Sequence, residues 1–287
     1  MKMINIAGVP EHFNFPWHLA IESGAFKKHG IDLQWIDVPE GTGKICQMLG
    51  DSTADMAVIL TEGIVKDIAA GNPSKIVQVY VQSPLIWGIH VAADSPYQKL
   101  DDLENKIAAI SRFGSGSQLM AYLLAKRRGW KTDRLKFEMV NTVEGAIEAL
   151  ANSRADYFLW EHFMMKPLVD KGILRRLGDC PTTWPSFVIA VRNELLEIRP
   201  EIIAKILSVI NFFTLDFKRT PGIDKTLATS FNQKIEDIQA WLSLTEWSQK
   251  KLEEGELSNI QDQLLQLNLI KKIATYDQIV TSISDVP

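Results

Sequence analysis

The sequence has little cysteine, no long apolar run and no strong excess of charge. Two cysteines, Cys46 and Cys180, stand far apart in 287 residues, so neither a disulfide framework nor a cysteine-based metal site is expected. The five histidines (His12, His18, His29, His90 and His162) show no H-x-x-H spacing, and no metal or cofactor is expected. A net charge of −4 from 31 basic and 35 acidic residues, with no block of like charges, argues against nucleic acid as the main partner. The longest uncharged stretch, 76–93, is interrupted by Gln78, Gln82, Pro84 and Gly88. It therefore reads as two buried strands and not as a membrane span. The opening MKMINIAGV has no apolar core of the secretory-signal kind. The protein is accordingly expected in the cytoplasm, and in the periplasm only if a leader has been removed.

What is present is an ordinary globular composition, 46% hydrophobic and 23% charged, in a chain long enough for two lobes. Strand-like and helix-like segments alternate from the start. INIAGV, IDLQWIDV, ADMAVIL and KIVQVYV read as strands; WHLAIESGAFKKHG (17–30), GTGKICQMLG and TEGIVKDIAAG read as the helices between them. Apolar strands in a β-α-β-α-β rhythm imply a mainly parallel sheet covered on both faces. A second cycle follows residue 90: IAAIS, LKFEMV and ADYFLWE as strands, a helix opened by SRFGSGSQ (111–118) and closed by Gly129, and VEGAIEALAN as a helix. From TTWPSFVIAV onward the pattern changes to helices, the longest over 200–219 with proline at its first position. This helical tail is expected to pack back on the first lobe.

A weak internal repeat joins the two cycles. MLGDSTADMAV (48–58) and ALANSRADYFL (149–159) align so that Leu49, Ser52, Ala54 and Asp55 match Leu150, Ser153, Ala155 and Asp156. Each segment is a helix end, a short turn and a strand leading to a polar pair, Thr61-Glu62 or Glu161-His162. Duplicated lobes are the expectation, against the simpler reading that any αβ unit resembles another.

Catalytic fingerprints are missing. Gly43-Lys44 lacks the other residues of a P-loop, Leu119 stands where G-x-G-x-x-G needs its third glycine, and Phe113 and Ser117 flank Ser115 where G-x-S-x-G needs glycines. Two helix starts remain, GTGK (41–44) and GSGSQ (114–118). Their first-turn N–H groups and partial positive charge suit a carboxylate, sulfonate or phosphate. Thr42, Gly43 and Lys44 are thus candidate ligand residues in the first lobe, and Ser115, Gly116 and Ser117 in the second. Thr42 and Ser115 serve equally well as plain N-caps. The aromatic loop HFNFPWH (12–18) follows the first strand, where ligands of open α/β sheets bind; Asn14, Phe15 and Trp17 are its candidates, unless the loop only closes on itself. Trp184 and Trp87 are either ligand contacts or core.

These pieces resemble the type II periplasmic-binding-protein fold, in particular the family of alkanesulfonate, nitrate, taurine and thiamine-pyrimidine-precursor solute-binding proteins. The resemblance rests on FPWHLAIESGAFKKHGIDL, GDSTADMAV and DSPYQKLDDLENKIAAISRFGSGSQ. TTWPSFVIAV further resembles a signal-less branch with bacterial and fungal members. The resemblance implies two lobes, 1–88 plus 190–287 and 89–189, joined by crossing strands near 87–91 and 185–190, that close on a ligand. It places the pocket at the loop after the first strand, GTGK, Thr61-Glu62, SRFGSGSQ and Glu161.

The function expected is binding of a small anionic or polar solute by a monomer, for transport or sensing, with an ABC permease as partner only if the protein is exported. The alternative is a cytosolic enzyme on the same fold, of the thiamine-pyrimidine or menaquinone-precursor type, using Glu62 or Glu161 as acid/base. The cysteine-rich motif of the yeast pyrimidine-synthase relatives is lacking, which weakens that alternative.

Overall fold

Short apolar runs of the first cycle become strands in a computed structural model that describes residues 3–283. β1 (Ile4–Gly8), β2 (Leu33–Asp37), β3 (Met56–Leu60) and β4 (Ser74–Val81) alternate with α1 (Phe15–Glu22), α2 (Ala25–Lys28), α3 (Thr42–Gly50) and α4 (Thr61–Ala69). The single helix expected over 17–30 is two, because Gly24 takes a left-handed φ of 68° and breaks the ladder between α1 and α2. The second cycle comprises β5 (Ile86–Ala92), β6 (Ile107–Ile110), α5 (Gly116–Arg128), β7 (Lys136–Met139), α6 (Val143–Ala151), β8 (Tyr157–Glu161), α7 (His162–Asp170) and β9 (Leu174–Pro181). Then come β10 (Phe187–Arg192), α8 (Asn193–Ile198), α9 (Pro200–Leu215), α10 (Ile223–Ser230), α11 (Ile235–Leu244), α12 (Glu254–Gln266) and α13 (Tyr276–Ile279).

The chain divides into two compact units. Unit 1 is Met1–Ser83, Trp184–Leu227 and Leu242–Pro287; unit 2 is Pro84–Thr183 and Ala228–Trp241. Unit 1 holds a five-stranded sheet in the order β2-β1-β3-β10-β4, and unit 2 one in the order β7-β6-β8-β5-β9. In each the first three strands are parallel, and a strand running the other way, β10 or β5, lies fourth. The two sheets therefore have one topology, that of a doubly wound α/β layer with an antiparallel insert. Unit 2 also takes in residues 228–241 of the helical tail, where Ile238 and Trp241 are buried and Lys166 of α7 approaches Asp237 at 3.4 Å.

The internal repeat has a physical basis in all four matched pairs. Leu49 and Leu150 are both core residues, as are Ala54 and Ala155. Ser52 and Ser153 both take a left-handed φ, 69° and 55°, to turn the chain out of the helix. Asp55 accepts the Asn5 N–H at 2.9 Å, and Asp156 accepts the Ile107 N–H at 2.7 Å. Each aspartate thus satisfies a donor near the start of the second strand in its sheet's order, β1 or β6, and returns its own N–H to the same residue.

Candidate functional site

At the carboxyl ends of β1 and β3 in unit 1, several buried polar side chains come together. α4 begins directly after β3, with Leu60 as its N-cap. Thr61 donates its hydroxyl to the Pro185 carbonyl at 2.6 Å, which ties the helix start to the segment entering β10. Glu62, 2% exposed, accepts the indole N–H of Trp184 at its Oε2, 2.8 Å away. Its Oε1 is buried and meets no donor. Burial pushes this carboxyl up to about 6, an effect only partly offset by the helix N–H, the indole and the charge of Lys66.

The start of α3 leans on the same place. A Cβ on Gly63 would lie 2.2 Å from the Thr42 methyl, so the missing side chain of Gly63 is what lets the α3 start approach α4. Gly41, at φ 76°, is the N-cap of α3, and no side chain caps it. Thr42 is therefore the first helical residue and not the cap. Gly43 and Lys44 follow, half-buried, and Lys44 reaches Gln47 at 3.3 Å.

The aromatic loop divides between core and rim. Trp17 is fully buried, 6.0 Å from the ring of Phe26 and 6.2 Å from that of Tyr80. Phe13 lies against Phe187 at 5.0 Å, and its carbonyl accepts the Tyr80 hydroxyl at 2.9 Å. Trp17 is thus a core residue and not the ligand surface expected of it: α1 packs its apolar face inward. Phe15 is half-buried, 6.4 Å from Phe217. Asn14, fully buried, donates Nδ2 to the Val9 carbonyl at 2.8 Å, while its Oδ1 has no partner.

Unit 2 carries the second loop. Ser115 caps α5, accepting the Gln118 N–H at 3.4 Å, and Gln118 accepts the Gly114 N–H at 2.6 Å. Ser117 accepts the Ser111 N–H from the end of β6 at 3.0 Å and lies 3.0 Å from the Ser115 hydroxyl. Ser111, Ser115, Ser117 and Gln118 are all buried. The N–H groups of Gly116 and Ser117, in the first turn, have no intrahelical acceptor. Phe113, in this loop, is 66% exposed beside Phe137, a solvent-facing aromatic that the sequence reading did not single out.

Glu161 is differently employed. It is the N-cap of α7 and accepts the Met164 N–H at 2.6 Å. Its backbone, φ −55° and ψ 131°, matches that of Leu60, φ −57° and ψ 130°. In the duplicated frame Glu161 therefore corresponds to Leu60 and not to Glu62, so the two glutamates are not equivalent. Trp184, 3% exposed, is packed into the core and donates its indole N–H to Glu62. A separate groove of about 710 Å³ beside α9 contains none of the predicted residues, and its polar pair, Gln78 and Asn211, is mutually satisfied.

Residues 87–180 match the model of the Ca3427-like PBP family. The whole chain superposes on the Candida albicans CA3427 gene product, a protein of the generic periplasmic-binding-protein fold. The TM-score is 0.86 at 22% identity, over 97% of this chain and 93% of that one. The chain has the type II periplasmic-binding-protein fold. The same fold is seen in the alkanesulfonate-binding protein SsuA from Xanthomonas axonopodis pv. citri bound to MOPS, with a TM-score of 0.83 at 15% identity, covering 98% of this chain and 99% of that one. It is seen again in PhnD1 from Prochlorococcus marinus in complex with methylphosphonate, with a TM-score of 0.65 at 11% identity, covering 94% and 99%. A comparison with curated proteins finds no match.

Proposed function

We propose that the protein binds a small anionic or polar organic solute, which it delivers or senses. One observation carries this reading. In two units of identical topology, the carboxyl ends of the parallel strands gather buried polar side chains beside a helix start: Asn14, Thr61 and Glu62 in unit 1, and Ser111, Ser115, Ser117 and Gln118 in unit 2. Open α/β sheets bind ligands at this end, and polar groups are rarely gathered in a protein interior without a use. The first-turn N–H groups of α5 favour an acidic group, contributing about 0.3–1 kcal/mol, rising towards 2 when partly buried. MOPS, a sulfonate, is bound to the Xanthomonas alkanesulfonate-binding protein and methylphosphonate to PhnD1, and both are anions of this kind.

A thermal-shift screen of sulfonates, phosphonates and carboxylates tests the reading. A hit at 100 times its Kd should stabilise the protein by about 2.7 kcal/mol, several degrees for a chain of this size. Replacing Ser115 and Ser117 with alanine and Gly116 with valine should abolish the shift. Equal binding by that variant would remove the α5 start from the site. A second reading, catalysis, has the raised pKa of Glu62 in its favour, since a carboxyl near neutrality suits proton transfer. Turnover of a bound compound, lost in Glu62→Gln, would establish it.

A further inference from the structure

β7 is an outer strand of the unit 2 sheet: it pairs with β6 on one side, and among the described residues no strand lies on the other. One edge of its backbone N–H and C=O groups is therefore open to a further strand. The outer strand in the matching place of unit 1 is β2, whose Trp35 lies 6.0 Å from the ring of Trp17 and 5.3 Å from that of His18. β7 leaves more apolar surface open. Met139 at its end is 51% exposed, and the exposed Phe113 packs on Phe137 with ring centroids 6.3 Å apart. The chain entering β7 is basic. Lys126, Arg127, Arg128, Lys131, Arg134 and Lys136 are all exposed, against one acid, Asp133, in a protein whose net charge is −4. The first three lie in the last turn of α5, where they complement its dipole, and Arg128 pairs with Asp101. Neither reason covers Lys131, Arg134 and Lys136, which lie beyond that turn.

We propose that the open edge of β7 receives an extended segment of a partner protein in which acidic and apolar residues alternate. Successive residues of a strand face opposite sides, so Phe137 and Met139 point one way and Lys136 and Glu138 the other. Glu138 is already paired with Arg154 at 2.7 Å. The apolar residues of the incoming strand lie against Phe137 and Met139, its acids lie by Lys136 and the basic turn before it, and backbone hydrogen bonds along β7 hold it. Aromatic residues, methionine and arginine are the side chains enriched at protein interfaces. A second copy of this chain fits poorly, because pairing β7 with β7 would bring two basic connections together. A nucleic acid or an anionic membrane matches the charge but makes no use of the strand edge, and it would also meet the acidic remainder of the chain.

Fluorescence anisotropy of short labelled peptides with the full chain tests the proposal. One peptide alternates glutamate and valine, a second alternates lysine and valine, and a third has the composition of the first with its glutamates and valines in separate blocks. The first should bind at least about tenfold tighter than either of the others, weaken as salt is raised, and shift chiefly the amides of residues 136–139 in NMR spectra. Lys131→Glu combined with Arg134→Glu, two exposed changes checked for folding by circular dichroism, should cut that binding by about tenfold or more. Equal binding of the lysine or the block peptide overturns the proposal, as do undiminished binding by the variant and no binding at millimolar peptide. Tighter binding of phosphatidylserine vesicles or polyuridylate than of the first peptide would make this a polyanion surface, and sedimentation showing self-association that the variant loses would make it a contact between copies. Either result overturns the strand-addition reading.

Discussion

Glu62 sits with one oxygen against an indole N–H and the other against nothing the chain supplies. The consequence for stability follows from its sign. Its carboxyl moves from 4.5 to about 6 on folding, so between those values the native state holds more proton than the unfolded chain, and stability falls as pH rises. Above pH 6 the ionised group costs the fold about 2 kcal/mol; below 4.5 that cost is gone. Glu62→Gln should remove this slope. Denaturant unfolding of parent and variant at a series of pH values would show their stabilities converging at low pH and the variant gaining as pH rises to 6 and beyond. Parallel curves across that window would mean that Glu62 is ionised without penalty. Glu11 shifts in the same direction, but it is present in both proteins and cancels in the comparison.

The helix starts depend on neighbours as much as on their own residues. α3 and α4 begin side by side because Gly63 leaves room for the Thr42 methyl, which a Cβ would meet at 2.2 Å. Gly63→Ala should therefore destabilise by about 1–3 kcal/mol, the usual cost of overpacking. Adding Thr42→Ser, which deletes the offending methyl, should restore most of the loss. A double-mutant cycle in urea that gives additive effects would sink this account. Such a contact between residues 21 positions apart is invisible in the sequence, whereas the elements themselves were largely legible. Apolar runs such as MAVIL and IAAI announced β3 and β6, and the Leu-Ser-Ala-Asp repeat announced a duplicated turn whose hydrogen bonds prove to be the same. β9 was missed because LRRLGDCP is an edge strand with charged residues at Arg175, Arg176 and Asp179, giving no apolar alternation to read. Of the candidate site, Thr42, Thr61, Glu62 and Trp184 were chosen and are brought together. Trp17 was chosen for its aromaticity, which serves the core equally well. The unpaired oxygens of Asn14 and Glu62 exist only once the strand ends are folded.

At the scale of the whole chain, the two sheets are alike in order but unlike in how the sequence supplies them. All five strands of unit 2 come from one continuous segment, β5 to β9, whereas unit 1 must wait for β10, which arrives only after the sheet of unit 2 has been completed. β10 is no marginal strand: it lies between β3 and β4, is buried throughout, and provides the ladder to which β4 is joined. A chain ending at Thr183 therefore retains the sheet of unit 2 and loses that of unit 1. It also loses Ile238 and Trp241, which cover unit 2 but are not part of its sheet. Hydrogen exchange on such a fragment should find the amides of Ala109 in β6 and Leu159 in β8 protected, and those of Ala57 and Val58 in β3 exchanging freely. Supplying residues 184–287 in trans should restore protection to β3. Protection of β3 in the fragment alone would show that unit 1 does not need β10, and free exchange throughout would show that unit 2 does not stand without the tail.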